Sequence, residues 1–293
     1  MIPAVINIDL LLTLISNDKY SLRILEVGFG ESDRVNFEEN HVPGALFFDG
    51  LRCMDSSGSL CRGLPELSCF ESYVKNELKI SRFDHIILYD DNKRAPNLLA
   101  ARTWWLFRAF GHDKVSVLNG GYCSWCKFRN ACFESGTGLQ SCVFNGSISF
   151  PEQPFRVRLR RYMISTYDEV LANVKSRKKQ LVDSRSYGEF WGQCDTKMPG
   201  QKVGHIPGAL NVPFTELLDI DNGYFLNKST LRKAFKSRGV NINLPTIAMC
   251  NMGLTASSII LGLYELGNNH TSIYCGSWKE WCHLAPSQYI TKV

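Results

Sequence analysis

A six-residue motif that occurs twice limits the folds open to this chain. Residues 41–46 read HVPGAL and residues 205–210 read HIPGAL. Each copy follows a short apolar run, at residues 24–27 and 180–185, and such runs are typical of buried parallel strands. The chain has 293 residues, which is enough for two domains with separate cores. We therefore predict two similar domains in tandem.

The segments downstream of each copy of the motif also correspond. Residues 86–89 and 246–249 are predicted as central strands that lead into helices at 98–110 and 255–266, and Gly111 and Gly267 end those helices. The segments 115–125 and 272–281 then each predict a strand and a glycine-marked turn that ends in tryptophan. Strands that alternate with helices predict an α/β fold, in which each domain has a mainly parallel sheet flanked by helices.

Domain boundaries follow from a composition change near the middle of the chain. Residues 134–154 are rich in Gly, Ser and Pro and lack helical periodicity, so they predict a linker. We expect an N-terminal domain at 1–138, the linker at 139–155 and a C-terminal domain at 156–293.

The halves differ where a ligand would bind. Ligands of open α/β sheets bind at the carboxyl ends of the strands. There the first half has Asp90, whereas the second half has Cys250 followed by the loop Asn251, Met252, Gly253, Leu254 and Thr255. Backbone amides and the helix dipole favour a thiolate at such a position, and the loop amides can hold an anion. Position alone leaves open an inert cysteine that fills the core.

Several motifs together resemble one family. These are the two His-x-Pro-Gly-Ala motifs, Asp183-Ser184-Arg185, Cys250-x-x-Gly253-x-Thr255-Ala256, and Gly276-Ser277-Trp278-x-Glu280-Trp281. The combination resembles the tandem rhodanese family of thiosulfate and 3-mercaptopyruvate sulfurtransferases, nearly from end to end.

The resemblance implies a sulfurtransferase with a catalytically silent N-terminal domain. Cys250 would take a sulfane sulfur from a small-molecule donor such as thiosulfate or 3-mercaptopyruvate and form a persulfide. It would then pass the sulfur to a thiol, cyanide or a thioredoxin-like acceptor, with no metal or organic cofactor. The family also assigns His41 and His205 to structural turns in which the ring bonds a backbone carbonyl.

The loop itself departs from the family pattern. After the cysteine, mercaptopyruvate enzymes have Gly then Ser and thiosulfate enzymes have Arg then Lys, whereas this chain has Asn251 and Met252. The mercaptopyruvate relay of serine, histidine and aspartate would fall on Met252, Arg62 and Leu51, so the relay is not expected here.

The substrate pocket departs as well. Glu189 stands where the family has an arginine for the substrate carboxylate, so an α-keto acid would meet repulsion there. Arg185 is kept, either to contact substrate or to form a structural ion pair with Asp183. These departures motivate an alternative: a catalytically attenuated rhodanese-like protein that binds a partner or relays sulfur.

Other functions receive less support. A phosphatase of this fold needs Cys-x5-Arg, and Ala256 stands at the arginine position. Cys123 and Cys126 form a single Cys-x-x-Cys with no second pair, which favours two ordinary cysteines over a zinc or redox site. The basic run at 175–179 is interpreted as a solvated helix end and not as a nucleic-acid site.

Composition and the N-terminal sequence bear on the compartment. The 11 cysteines are irregularly spaced, so a disulfide framework is not expected and the protein is predicted to be reduced and intracellular. No segment is long and apolar enough for a membrane span. The first ten residues lack a secretory layout and an Arg-rich transit composition, which favours the cytoplasm, with the mitochondrion as the alternative.

Overall fold

The computed structural model describes residues 2–17, 19–54, 63–92, 95–134, 153–194, 200–219 and 221–292. The chain divides into two compact units. The first comprises Met1–Met54, Pro65–Leu159 and Asp221–Phe225, and the second is built mainly from Arg160–Ile220 and Leu226–Val293. The division predicted at 138/139 and 155/156 stays a prediction, and residues 139–152 of the predicted linker lie outside the described residues.

The described residues of the first unit form a five-stranded parallel sheet in the order β1-β5-β4-β2-β3. Helices accompany these strands in alternation along the chain. The elements are β1 (Val5–Ile6), α1 (Ile8–Ile15), β2 (Leu22–Gly28), α2 (Glu31–Glu39), β3 (Leu46–Asp49), α3 (Leu67–Ser72), β4 (His85–Tyr89), α4 (Leu98–Ala109), β5 (Val115–Leu118) and α5 (Gly121–Glu134), with a π-helical turn at Tyr73–Glu77 after α3.

The second unit repeats this topology within its described residues, with the strand order β6-β10-β9-β7-β8. Its elements are β6 (Ile164–Ser165), α6 (Tyr167–Ser176), β7 (Gln180–Asp183), α7 (Tyr187–Trp191), β8 (Leu210–Asn211), α8 (Lys228–Ser237), β9 (Thr246–Met249), α9 (Ala256–Glu265), β10 (Thr271–Tyr274) and α10 (Ser277–Leu284). Central strands β4 and β9 therefore correspond. The prediction of two α/β domains with parallel sheets flanked by helices is confirmed.

Burial explains why the central strands form where they do. Every residue of β4 and of β9 is buried, as expected for parallel strands that are covered by helices on both faces. In register, Glu26 of β2 pairs with Tyr89, and Asp183 of β7 pairs with Met249. The sheets thus bring the ends of β2 and β4, and of β7 and β9, to one edge of each unit.

The two repeated motifs form turns, as the sequence predicts. His41 Nδ1 lies 2.7 Å from the Phe37 carbonyl oxygen, and His205 Nδ1 lies 3.1 Å from that of Phe190. The His205 ring also stacks on Phe190, with ring centroids 3.9 Å apart. Gly208 has a φ of 74°, in the left-handed region that favours glycine. These histidines therefore fix the entry to β3 and β8.

One disulfide departs from the expectation of a fully reduced chain. Cys53 and Cys69 are bonded, and their Cα atoms lie 5.6 Å apart, within the usual range for a disulfide. Cys123 and Cys126 are free thiols on α5, the first exposed and the second half-buried. None of the helices in the described part of the chain combines the length and apolar character needed to cross a bilayer.

Candidate active site

The site is built around Cys250, which follows the last residue of β9. Its side chain is 3% exposed, and the amide of Gly253 donates a hydrogen bond to the Cys250 sulfur over 2.9 Å. The loop then enters α9 at Ala256. An amide aimed at sulfur stabilises the thiolate, the form that attacks an electrophilic sulfur atom.

Gly253 is needed for the curvature of this loop. Its φ is 82°, where residues other than glycine are strained, and a Cβ placed there would lie 3.0 Å from the carbonyl oxygen of Cys275. Glycine therefore lets the chain turn back closely enough to point its amide at Cys250.

The segment after β10 holds the loop from the other side. The Ser277 hydroxyl accepts a hydrogen bond from the Cys250 amide over 3.2 Å and donates to the Tyr274 carbonyl over 2.8 Å. The amides of Trp278 and Lys279 donate to the carbonyls of Cys250 and Asn251 over 2.9 and 3.0 Å. The start of α10 thus fixes the backbone on both sides of the cysteine, a role that sequence reasoning did not assign.

Two side-chain pairs fix the rest of the loop. The hydroxyls of Ser184 and Thr255 are 2.7 Å apart, and Ser184 also donates to the Met249 carbonyl over 3.1 Å. The Gln201 amide donates to the Asn251 side-chain oxygen over 2.7 Å. Gln201 was missed because nothing local in the sequence marks it. Asn251, Met252, Leu254 and Thr255 are half-buried, whereas Gly253 is buried.

Arg185 is a buried residue of the second unit that holds neighbouring segments together through its guanidinium. It is 5% exposed and its guanidinium contacts both carboxylate oxygens of Asp183, at distances of 2.7 to 3.1 Å. It also donates to the Gly204 carbonyl over 2.9 Å and lies over the Trp278 ring, 4.4 Å from its centroid. This geometry supports the structural ion pair over substrate contact.

Glu189 is a helix cap in this structure. Its carboxylate accepts hydrogen bonds from the Ser186 amide and hydroxyl, at 3.2 and 2.7 Å, and the Glu189 amide donates one to the Ser186 hydroxyl oxygen over 3.4 Å. This reciprocal capping box begins α7. A glutamate is favoured here because its carboxylate satisfies the helix N-terminus, which explains locally why the position carries an acid.

The residues at the family relay positions do not form a relay within what the structure describes. Met252 lies in the Cys250 loop and carries no hydroxyl, Leu51 is an exposed residue of the first unit, and Arg62 lies outside the described residues.

The corresponding place in the first unit is occupied by a buried carboxylate. Asp90 is 2% exposed, and its two oxygens accept the amides of Asn97 and Ala100 over 3.0 and 2.9 Å. Burial raises the pKa of Asp90 to about 6, against the lowering effect of these amides. The Asp90 side chain offers no nucleophilic sulfur, and the expectation of a catalytically silent first domain stays a prediction.

Comparison with known proteins decides the family. A family model for the rhodanese-like domain matches twice, at residues 9–128 and 166–284. The chain belongs to the rhodanese family. The resemblance predicted from the motifs is therefore confirmed.

Rhodanese-family relatives support the same conclusion. The chain is 36% identical to the 3-mercaptopyruvate sulfurtransferase of Mus musculus over 89% of this chain and 83% of that protein. It is 37% identical to the thiosulfate sulfurtransferase of Rattus norvegicus over 92% of this chain and 87% of that protein. The crystal structure of SseA from Escherichia coli, described as showing the rhodanese fold and catalytic mechanism of 3-mercaptopyruvate sulfotransferases, matches with a TM-score of 0.74 and 29% identity, covering 94% of this chain and 99% of that one. The prediction of a sulfurtransferase is confirmed by these relatives.

Proposed function

We propose that this rhodanese-family protein moves a sulfane sulfur through a persulfide on Cys250. The observation that carries the proposal is the hydrogen bond from the Gly253 amide to the Cys250 sulfur, made at the carboxyl edge of the second sheet. That amide would stabilise negative charge on the thiolate before attack and on the persulfide afterwards.

In the first step the Cys250 thiolate attacks the outer sulfur of the donor. A bond forms between the two sulfur atoms while the bond from that sulfur to the rest of the donor breaks, and the donor leaves with the electron pair. In the second step an acceptor thiolate attacks the same sulfur and Cys250 leaves as thiolate. The two steps return the enzyme to its first state, and no metal or organic cofactor takes part in either.

Small donors fit this site best. Cys250 is 3% exposed beneath a half-buried loop, so an attacking or departing group must be narrow to reach the sulfur. Thiosulfate and 3-mercaptopyruvate are the two donors we propose, and the nearly equal identity to relatives named for each does not choose between them. A small thiol or cyanide is the proposed acceptor, and a thioredoxin-like protein would need to present its cysteine on a projecting loop.

The site residues have separate roles in this proposal. Cys250 is the nucleophile and Gly253 is the amide donor, while Asn251, Met252, Leu254 and Thr255 form the wall of the anion-holding loop. Arg185 acts through Asp183 and Trp278 to support that loop. Glu189 caps α7, so this position supplies no cation to pair with the carboxylate of a sulfur donor such as 3-mercaptopyruvate. We propose the cytoplasm as the compartment, with the mitochondrion as the alternative.

Intact-protein mass spectrometry tests the proposal. The reduced chain is exposed separately to thiosulfate and to 3-mercaptopyruvate, together with Cys250→Ser and the control Cys275→Ser. Cys275 is a matched control because it directly follows β10, the strand beside β9 in the same sheet, and is half-buried. We expect the wild type and Cys275→Ser to gain the mass of one sulfur atom and Cys250→Ser to gain none. A sulfur gained by Cys250→Ser at the wild-type rate would contradict the assignment.

A further inference from the structure

Positive charge is concentrated in two short segments of the second unit. Residues 175–179 and 228–238 contain nine of the 33 Lys and Arg residues of the chain and none of its 28 Asp and Glu residues. The rest of the chain has 24 Lys and Arg against 28 Asp and Glu, so the net charge of +5 comes from these two segments. A concentration of one sign of charge attracts ions of the other sign.

The fold brings the two segments to the same edge of the second sheet. The first segment leads directly into Gln180, whose side chain donates to the Asn241 carbonyl over 2.6 Å and accepts from the Asn241 amide over 3.1 Å. Gln180 also pairs with Thr246, the first residue of β9. The basic run therefore borders the chain that follows α8, at the amino ends of β7 and β9. Cys250 follows the carboxyl end of β9, at the opposite edge.

A cavity of about 450 Å³ opens between the end of α8 and the chain that follows it. Its lining consists of Arg232, Lys236, Gly239, Val240, Asn241 and Ile242. Leu231 and Phe235 bury the inner face of α8, so Arg232 and Lys236 are exposed on its outer side. These two cations are one helical turn apart, where like charges repel each other unless an anion lies between them.

The cations at this edge outnumber the negative groups that they could balance. Lys228 and Arg238 are paired with Glu265 and Glu216. Six others are exposed and form no ion pair with any residue that the structure describes: Arg177, Lys178, Lys179, Arg232, Lys233 and Lys236. We call these six residues the basic surface. Helices α6 and α8 both end here, and each C-terminus is equivalent to only about half a negative charge. Capping of the two helices therefore does not account for six cations.

We propose that the basic surface binds an oligophosphate anion. One phosphate group enters the cavity between Arg232 and Lys236, and the following phosphate groups extend toward the basic run at 175–179. The planar guanidinium of an arginine binds phosphate oxygens in pairs, and a lysine ammonium acts as a point charge. A free anion fits better than a phospholipid membrane, because a flat surface would contact the rim of the cavity and leave its interior unused.

Titration calorimetry of the full chain with inorganic tripolyphosphate tests this binding, at neutral pH, low ionic strength and without divalent cations. We expect saturable binding of one anion, which weakens as salt is added because the cations are exposed. Orthophosphate at the same ionic strength should bind more weakly by about tenfold or more, since it is too short to contact both segments at once.

Two double variants locate the site. Arg232→Gln with Lys236→Gln should weaken tripolyphosphate binding by about tenfold, because two charge-assisted contacts are lost. Lys19→Gln with Arg82→Gln is the control, since it removes the same charge from exposed residues of the first unit. The control should bind like the wild type. Thermal unfolding checks that both variants are folded.

Lysine acetylation locates the anion on the wild type without any substitution. Bound tripolyphosphate should slow the acetylation of Lys179 and Lys236, measured by mass spectrometry of their peptides, and leave that of Lys19 unchanged. Equal acetylation of all three lysines with and without the anion would contradict the location.

Three further outcomes would overturn the proposal. The first is the absence of saturable tripolyphosphate binding to the wild type, and the second is unchanged binding to the Arg232 and Lys236 double variant. The third is retention of the protein on vesicles of phosphatidylserine and phosphatidylcholine without any binding of tripolyphosphate, which would assign the basic surface to a membrane. The double variant should load sulfur on Cys250 at the wild-type rate, so this test and that of the proposed function fail independently.

Discussion

Replacing Gly253 by alanine should slow sulfur loading of Cys250 by about tenfold to a hundredfold. An alanine at a φ of 82° costs about 1–2 kcal/mol in backbone strain, and its Cβ would lie 3.0 Å from the Cys275 carbonyl oxygen. The loop can relieve both only by moving, which withdraws the amide that now lies 2.9 Å from the sulfur. A hydrogen bond to a charged group contributes about 1.5–3 kcal/mol, and about 1.4 kcal/mol corresponds to a tenfold rate change.

The assay is the rate of alkylation of Cys250 by iodoacetamide and the rate of persulfide formation, both followed by intact mass at one pH. Alkylation reports the thiolate population without requiring a sulfur donor. Gly267→Ala is the matched control, because Gly267 also has a positive φ, of 94°, yet a Cβ there meets nothing within 4 Å. It should lose comparable stability and keep both rates. If Gly253→Ala also kept both rates, the amide would not be what stabilises the Cys250 thiolate.

Three further predictions concern stability. Cys53→Ser, compared with Cys123→Ser in urea unfolding, should lose about 3 kcal/mol, because the disulfide joins residues separated by 16 positions; an equal loss in both variants would argue against the bond. Asp183→Asn should lower the free energy of unfolding by about 3–5 kcal/mol, because it leaves the buried Arg185 guanidinium without its carboxylate. Asp168→Asn on α6 should lower it by under about 0.5 kcal/mol. If both variants had the same urea midpoint, the Asp183–Arg185 ion pair would not stabilise the fold. Glu26→Gln should raise the free energy of unfolding relative to the wild type by about 2 kcal/mol more at pH 8 than at pH 4. The folded-state pKa of Glu26, about 7, exceeds the unfolded value, so the wild-type native state binds more protons between pH 4.5 and 7 and loses stability as pH rises. Glutamine does not titrate, so the difference between variant and wild type should grow with pH, and a constant difference would contradict a buried, titrating Glu26.

The central strands could be predicted from sequence because burial leaves a strong local pattern. Predicted strands at 86–89 and 246–249 match β4 and β9, whose residues are buried on both faces. The two-residue strands β1 and β6 are too short to show any period, and α2 lacks buried residues altogether, so no apolar stripe marks it.

The segments that carry tryptophan after β5 and β10 were predicted as turns from their glycines, but they form helices. The sequence predicts glycine-marked turns that end in Trp125 and Trp281, but both tryptophans lie on helices, α5 and α10. The reason lies in the residues that begin these helices. Gly121 and Ser277 have positive φ values of 52° and 54°, so a sharp turn and a helix start coincide there.

The position of Cys250 at the end of a central strand could be predicted, but the contacts that hold its loop could not. Cys250 and Gly253 are close in sequence, and the roles proposed for them follow from the loop motif. Gln201 and Asn251 are 50 residues apart, and Ser184 and Thr255 are 71 apart, so only the folded sheet brings each pair together. Polar contacts of this kind depend on tertiary structure and leave no local period.

The two units place different groups at the same edge of the same frame, and only the second offers a sulfur atom for the chemistry proposed above. Both place an acidic group, Asp90 or Cys250, after the central strand and give it backbone amides. In the first unit the amides come from Asn97 and Ala100, at the start of α4, and they take up both carboxylate oxygens. In the second unit the amide comes from Gly253, three residues after Cys250, so a short loop curls over a single sulfur atom. The longer loop uses its acid to fix the helix start, whereas the shorter loop, in the function proposed above, would leave the Cys250 sulfur held by one amide and able to attack a donor.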